Sequence, residues 1–367
     1  MDGSSPSAGE TASLIPGRGL TASRNCAGSV HREQFGECLA KRGNEMRQFG
    51  YSCLVATLLC ASGGPSHAQT IGYSGAIGQL ATACRADIGK YCGKATLGGG
   101  RMSQCLEQNR ASISPGCKAS LSQMQSLLGT RAQARAAVMQ ICRSDAGRLC
   151  QGVVAGDGNL MECYSKAKAR FSAACQKAVA DAGYEATIDA SASTTQVKLS
   201  SGDLINSLQG AEQAGTALTA ARLRQMALQS LNDPARASRM NRAPLTDELE
   251  KLAQLTIAIN FDLGSARIRP DSFQAVGLMA DSLYHPYLQG YRFLIVGHTD
   301  ARGSRESNLK LSEQRAAAIR EALINPFGIA ASRIESVGLG EEQLLKPANP
   351  EDGENRRVQL INVGPVR

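Results

Sequence analysis

The chain has 367 residues, 43% of them hydrophobic, which is enough for two or more domains with sizeable cores. Aromatics make up only 4% and Trp is absent, which argues against an aromatic-lined sugar cleft. Twelve cysteines exceed ordinary cytosolic usage and call for an oxidising compartment or a metal, and the net charge of +8 is uneven: residues 81–180 hold fourteen Lys/Arg against five Asp/Glu.

Residues 1–45 show no helical or strand period and are rich in Gly and Ser. Residues 46–68 read as a secretory signal: Met46-Arg47-Gln48, an apolar run from Tyr51 to Ala61, and a small-residue end at Ser66-His67-Ala68. Export machinery rarely tolerates an internal signal, so Met46 is expected to be the true start and 1–45 an upstream extension. The apolar run is short for a bilayer, which needs ~20 residues; retention as an anchor is the alternative. Leu59 before Cys60 does not suit lipidation. Cleavage after Ala68 would remove Cys26, Cys38, Cys53 and Cys60, leaving eight cysteines and a charge of +7.

Those eight fall in two sets within residues 69–183, Cys84, Cys92, Cys105, Cys117 and Cys142, Cys150, Cys163, Cys175. The spacing C-x7-C-x12-C-x11-C occurs twice at an offset of 58 residues, and the residues between the first two cysteines repeat as well, which marks a tandem duplication over 84–117 and 142–175. Ala, Gln, Leu, Met and Arg dominate, so the region is expected to be all-α. The C-x7-C spacing puts both thiols near one face of a helix about two turns apart. Gly98-Gly99-Gly100 and Gly156-Asp157-Gly158 break the chain between helices. Each repeat thus reads as a helical hairpin stapled by two disulfides. Four cysteines allow three pairings, and sequence does not choose among them; a nested hairpin would favour Cys84–Cys117 with Cys92–Cys105, and Cys142–Cys175 with Cys150–Cys163. The region resembles the cysteine-rich repeat first named from a Golgi-apparatus glycoprotein. A metal fits poorly, because structural zinc uses close C-x2–4-C pairs and none is present. The basic excess reads either as a solvated face or as a contact for anionic outer-membrane components such as lipopolysaccharide phosphates or acidic headgroups. Nucleic acid does not suit an exported, aromatic-poor chain.

Residues 184–253 are rich in Ala, Ser, Gln and Thr and read as a partly helical linker. Within it, Ala220, Leu223, Ala227 and Leu231 recur at helical spacing with Met226 beside them.

The last region, 254–364, alternates strand and helix. Leu255 to Phe261 alternates as a strand, and Arg269-Pro270-Asp271-Ser272 opens a helix carrying Phe273, Val276, Ala280 and Leu283. Tyr291 to Val296 is a strand. Leu309, Ser312, Ala316, Ile319 and Leu323 are the buried stripe of a second helix, and Ile334–Leu339 and Arg357–Val363 supply two more strands. The expected fold is α+β (α/β), a mixed sheet with helices on one face. Between the second strand and the second helix lies Thr299-Asp300-x2-Gly303-x4-Asn308-x2-Leu311-Ser312-x2-Arg315-Ala316. With Phe261-Asp262, Gly338-Leu339-Gly340-Glu341 and Asn355-Arg356-Arg357-Val358, this resembles the OmpA-like (OmpA/MotB/Pal) peptidoglycan-binding domain. Gly264 stands where relatives often carry Asn or Asp.

The resemblance implies non-covalent binding of the diaminopimelate residue of the peptidoglycan stem. That group presents an ammonium and a carboxylate on one carbon, so a receptor needs both signs of charge. Asp300 is expected to take the ammonium, and Arg315 to fork onto the carboxylate. Thr299 and Asn308 would add neutral hydrogen bonds, and Arg356 a further ligand contact, with Arg357 as its rival. No nucleophile–base pair surrounds His298, so no catalytic residues, cofactor or metal are expected. The implied protein is a non-enzymatic component of the periplasm, bound to the cell wall and associated with the outer membrane. Alternatives are a membrane-anchored stator-like protein, disfavoured because residues 49–61 are short and carry no acid, and a peptidoglycan-modifying enzyme. Oligomeric state is not readable from this sequence.

Overall fold

The computed structural model describes residues 71–153, 157–185, 201–209, 218–232, 249 and 252–366, which belong to one compact unit. The signal-like segment 46–68 and the stretch 1–45 lie outside the described residues.

Among the described residues, seven α-helices precede residue 182: α1 (Tyr73–Ala83), α2 (Arg85–Tyr91), α3 (Arg101–Gln108), α4 (Pro115–Ile141), α5 (Arg143–Leu149), α6 (Asp157–Ala167) and α7 (Ala173–Asp181). In each repeat an outer disulfide encloses an inner one: Cys84–Cys117 around Cys92–Cys105, and Cys142–Cys175 around Cys150–Cys163. The duplication holds down to single hydrogen bonds. Asp87 accepts from the Ser114 hydroxyl (2.7 Å), and Asp145, 58 positions on, accepts from the Ser172 hydroxyl (2.5 Å). Ser114 and Ser172 in turn cap α4 and α7 by accepting from the Cys117 and Cys175 amides, both at 3.3 Å. The 27-residue α4 closes the first repeat and runs on into the second.

The sheet contains β1 (Gln254–Ile257), β2 (Tyr291–His298), β3 (Ile334–Gly340) and β4 (Val358–Pro365) in the order β1-β4-β2-β3. It is mixed: β4 is antiparallel to β1 and β2, whereas β2 and β3 are parallel. A parallel pair needs a crossover, here the helix Arg305–Ile324. Among the described residues, three α-helices lie between α7 and that crossover helix: α8 (Ser201–Leu208), α9 (Ala220–Asn232) and α10 (Phe273–Leu283), and the crossover itself is α11.

Strand alternation sorts the core. Phe293, Ile295, Val358 and Leu360 pack in one buried cluster with α10 and with Ala316, Ile319 and Leu323 of α11. Leu294, Val296, Ile361 and Val363 belong to the opposite face. The mixed sheet thus carries α10 and α11 on one face as expected, and α9 adds a cover to the other through Ala220, Leu223 and Ala227. The described helices of the 184–253 segment are packed against the sheet region. Arg224 of α9 reaches Glu313 of α11 at 2.5 Å, and the Leu208 carbonyl of α8 accepts from the buried Asn362 side chain at 2.9 Å.

The repeats share the core of the sheet region. A single cluster runs from Tyr73 through α10 to Leu360. α1 lies so close to α10 that a Cβ at Gly277 would stand 2.7 Å from the Ser74 Cα, which only glycine permits. Asp281 of α10 accepts from the Tyr73 and Ser74 amides (2.7 and 2.8 Å), satisfying donors that α1 leaves open at its N-terminus. Arg131 of α4 stands 3.5 Å from that carboxylate, with both side chains 1% exposed, and its guanidinium lies over the Tyr73 ring at 4.2 Å. Burial pushes the Asp281 carboxyl up, opposed by the two amides and by Arg131.

Candidate functional site

β2 ends at His298, and Thr299 and Asp300 follow directly. The turn is pinned from several sides. The Thr299 amide donates to the Gly340 carbonyl (2.9 Å) and the Ala301 amide to the Pro350 carbonyl (3.0 Å). Asn308, one turn into α11, donates to the carbonyls of Asp300 (3.2 Å) and Arg302 (3.0 Å) and to the Glu341 carboxylate (2.6 Å). Asn308 is therefore the clamp that fixes the Asp300 backbone. α11 sits directly on β2 and β3, since a Cβ at Gly297 would meet the Ser312 carbonyl oxygen at 2.5 Å and one at Gly338 the Glu313 amide at 2.1 Å. That close approach sets Arg315 beside the turn.

Asp300 and Arg315 do not pair with each other. Asp300 is 6% exposed and ion-pairs with Arg356, whose side chain is about half exposed at 48%. Arg315 donates its Nε to the Ser265 carbonyl (3.0 Å), and its guanidinium lies 4.9 Å from the Phe261 ring. Burial lowers the Arg315 pKa, Arg356 lowers it further, and Asp300 opposes both. The three charges thus act on one another across one site.

A cavity of about 500 Å³ is lined by both of these arginines, Arg315 and Arg356, with Ile259, Phe261 and Val358 among its apolar walls and Arg269 and Arg357 among its other charged ones. His298 and the half-exposed Leu345 also line it. Burial, with Arg357 beside it, holds the His298 imidazole well below its usual range, so this residue is neutral near pH 7. Thr299 is buried at 2% exposure, and its hydroxyl has no partner within the protein. Asp262 is occupied by Arg267, within the turn that supplies Ser265.

Of the residues expected from sequence, Arg315 and Arg356 line the cavity, Asp300 is joined to it through its ion pair with Arg356, Thr299 adjoins Asp300, and Asn308 fixes the Asp300 backbone. Sequence reading missed how Arg315 is held, by the Phe261 ring and the Ser265 carbonyl, because both lie some fifty positions upstream. It ranked Arg357 only as a rival to Arg356, yet both line the cavity. Among the described residues no group of three or more His, Cys, Asp or Glu could hold a metal ion, and no helix is long and apolar enough to cross a membrane.

A family model described as OmpA family matches residues 260–357, and one described as cysteine rich repeat matches residues 75–114. The peptidoglycan-associated lipoprotein of Pseudomonas aeruginosa is 33% identical over 118 residues, covering 32% of this chain and 67% of that protein. Outer membrane porin F of the same organism is 29% identical over 111 residues, 30% of this chain and 31% of the porin. The crystal structure of the peptidoglycan-associated lipoprotein from Burkholderia pseudomallei matches 36% of this chain and 98% of its own at 30% identity and a TM-score of 0.25. The chain therefore spans about a third of the porin and about two thirds of the first lipoprotein. On the strength of its C-terminal region, this chain belongs to the OmpA family.

Proposed function

We propose that the protein is a non-catalytic component of the bacterial cell envelope that binds peptidoglycan through Asp300 and the neighbouring cavity lined by Arg315 and Arg356. The observation that carries this reading is the juxtaposition, in an OmpA-family chain, of a buried carboxylate and a half-buried guanidinium that do not neutralise each other. A diaminopimelate head offers an ammonium for Asp300 and a carboxylate for Arg315. The ammonium displaces Arg356 from Asp300, and the freed Arg356 turns to the ligand carboxylate. Thr299 offers its unpartnered hydroxyl to the same head. Residues 46–68 direct export, the cleaved chain resides in the periplasm at the cell wall beside the outer membrane, and the peptidoglycan contact holds the cysteine-rich repeats there.

The test is titration of residues 69–367 with a diaminopimelate-containing stem peptide. Asp300→Ala and Arg315→Ala are each expected to lose about 2–5 kcal/mol of binding. Absence of saturable binding by the folded wild type would sink the reading. Release of muropeptides from sacculi would replace it with an enzymatic one.

A further inference from the structure

The cavity holds more positive charge than a single carboxylate uses. Arg356 is neutralised by Asp300, and Arg269 has Asp271 at 3.3 Å. The one acidic side chain among the lining residues, Glu354, is engaged by Lys346 at 2.7 Å. Arg315 and Arg357 remain, and among the described residues neither has a carboxylate within ion-pair distance.

Arg357 is the more unusual of the two. It is 6% exposed, on the cavity wall immediately before β4. Two of its nitrogens donate to the carbonyls of Asn355 (3.4 Å) and Gln343 (3.1 Å), and the third, Nε, is buried without a partner. A buried guanidinium that lacks a counter-charge is costly, and burial alone pushes this one down to about 10. The neutral His298 beside it supplies no compensation. An anion entering the cavity would remove the deficit by accepting from Nε.

Resting on the peptidoglycan reading above, we propose that Arg357 forms an inner carboxylate subsite. The cavity then takes a stem peptide that ends at diaminopimelate, with both carboxylates of that residue free, in preference to one extended by alanine. Arg315 holds the carboxylate that shares a carbon with the ammonium, and Arg357 holds the second. Extension by alanine converts the second carboxylate into an amide, which removes its charge and leaves the buried guanidinium unmatched.

The experiment titrates residues 69–367 with the synthetic tripeptide L-Ala-γ-D-Glu-meso-diaminopimelate, with the same tripeptide amidated at that second carboxylate, and with the alanine-extended tetrapeptide. The free tripeptide is expected to bind at least about tenfold more tightly than either of the others, the size of one charge-assisted hydrogen bond. Arg357→Gln, checked for native circular dichroism, is expected to bring that ratio close to one. Equal binding of all three peptides by the wild type overturns the subsite while leaving the peptidoglycan reading standing; this arm needs no variant, so it decides even if Arg357→Gln fails to fold. A folded Arg357→Gln that keeps the preference also overturns it. Binding of none of the peptides overturns both.

Discussion

The repeats and the sheet region reach order by different routes. Each repeat is a set of short helices closed by two disulfides, with its outer bridge spanning 33 residues. The region from residue 254 onward contains no cysteine and relies on aliphatic burial between a four-stranded sheet and its helices. Small helical units bury too little apolar surface to stand alone, and covalent closure offsets that deficit. Yet the two regions share one core across α1 and α10. Disulfides set the shape of the repeats, and packing sets where they sit.

Breaking the joint tests this contrast most severely. Asp281→Ala would leave Arg131 buried without its carboxylate and the first amides of α1 without an acceptor. A loss of about 3–5 kcal/mol is expected in chemical denaturation, from the cost of an unpaired buried charge. A loss below 1 kcal/mol would mean that α1 and α10 are held together by apolar contact alone.

Next in size is removal of one staple. Replacing Cys84 and Cys117 by Ser is expected to cost about 2–5 kcal/mol. The effect belongs to the repeat: protection of the β2 and β4 amides from hydrogen exchange should fall less than that of α2 and α3. Equal loss in both would show that the two regions unfold as one unit.

The sheet region has its own signature in pH. The His298 pKa is far below its unfolded value of about 6.5, so the unfolded chain binds the extra proton. Stability contributed by the neutral ring is full above pH 6.5 and falls as pH drops below it, at about 1.4 kcal/mol per unit for one proton. His298→Asn is expected to flatten that part of the profile, read as urea midpoints between pH 7 and pH 5. An unchanged slope would assign the pH dependence to other groups.

The smallest effect is expected where the first repeat touches α11. Arg101 and Glu321 form a fork at 2.8 and 2.6 Å, but their side chains are 50% and 36% exposed. Arg101→Ala should cost no more than about 1 kcal/mol, since solvent screens such pairs.

Much of the sheet region was legible because its signals are local. Periodicity in Phe273–Leu283 and Leu309–Leu323, and alternation in Tyr291–Val296, are written in neighbouring residues. Asp300 and Arg315 were legible for the same reason, since one strand–turn–helix carries both. The packing of α9 was half legible. Its stripe of Ala220, Leu223 and Ala227 was plain, but the stripe does not say which surface will cover it. Arg357 was hard to separate from Arg356, because the two are adjacent in the chain just ahead of β4 and only the fold shows that both reach one cavity.

The sequence by itself determined the duplication, the helical character of the repeats, the order of strands and helices, and the pair of opposite charges on one loop and helix. Each of these follows from spacing along the chain. Only the tertiary structure decided that Asp300 is held by Arg356, that Arg315 rests on Phe261 and Ser265, that Arg357 is buried without a counter-charge, and that α1 docks on α10 through Asp281 and Arg131. Those outcomes depend on contacts between residues from two to more than two hundred positions apart, on the burial that sets the strength of each charge, and on which face of a sheet a neighbour covers. None of these is a property of a local stretch of chain.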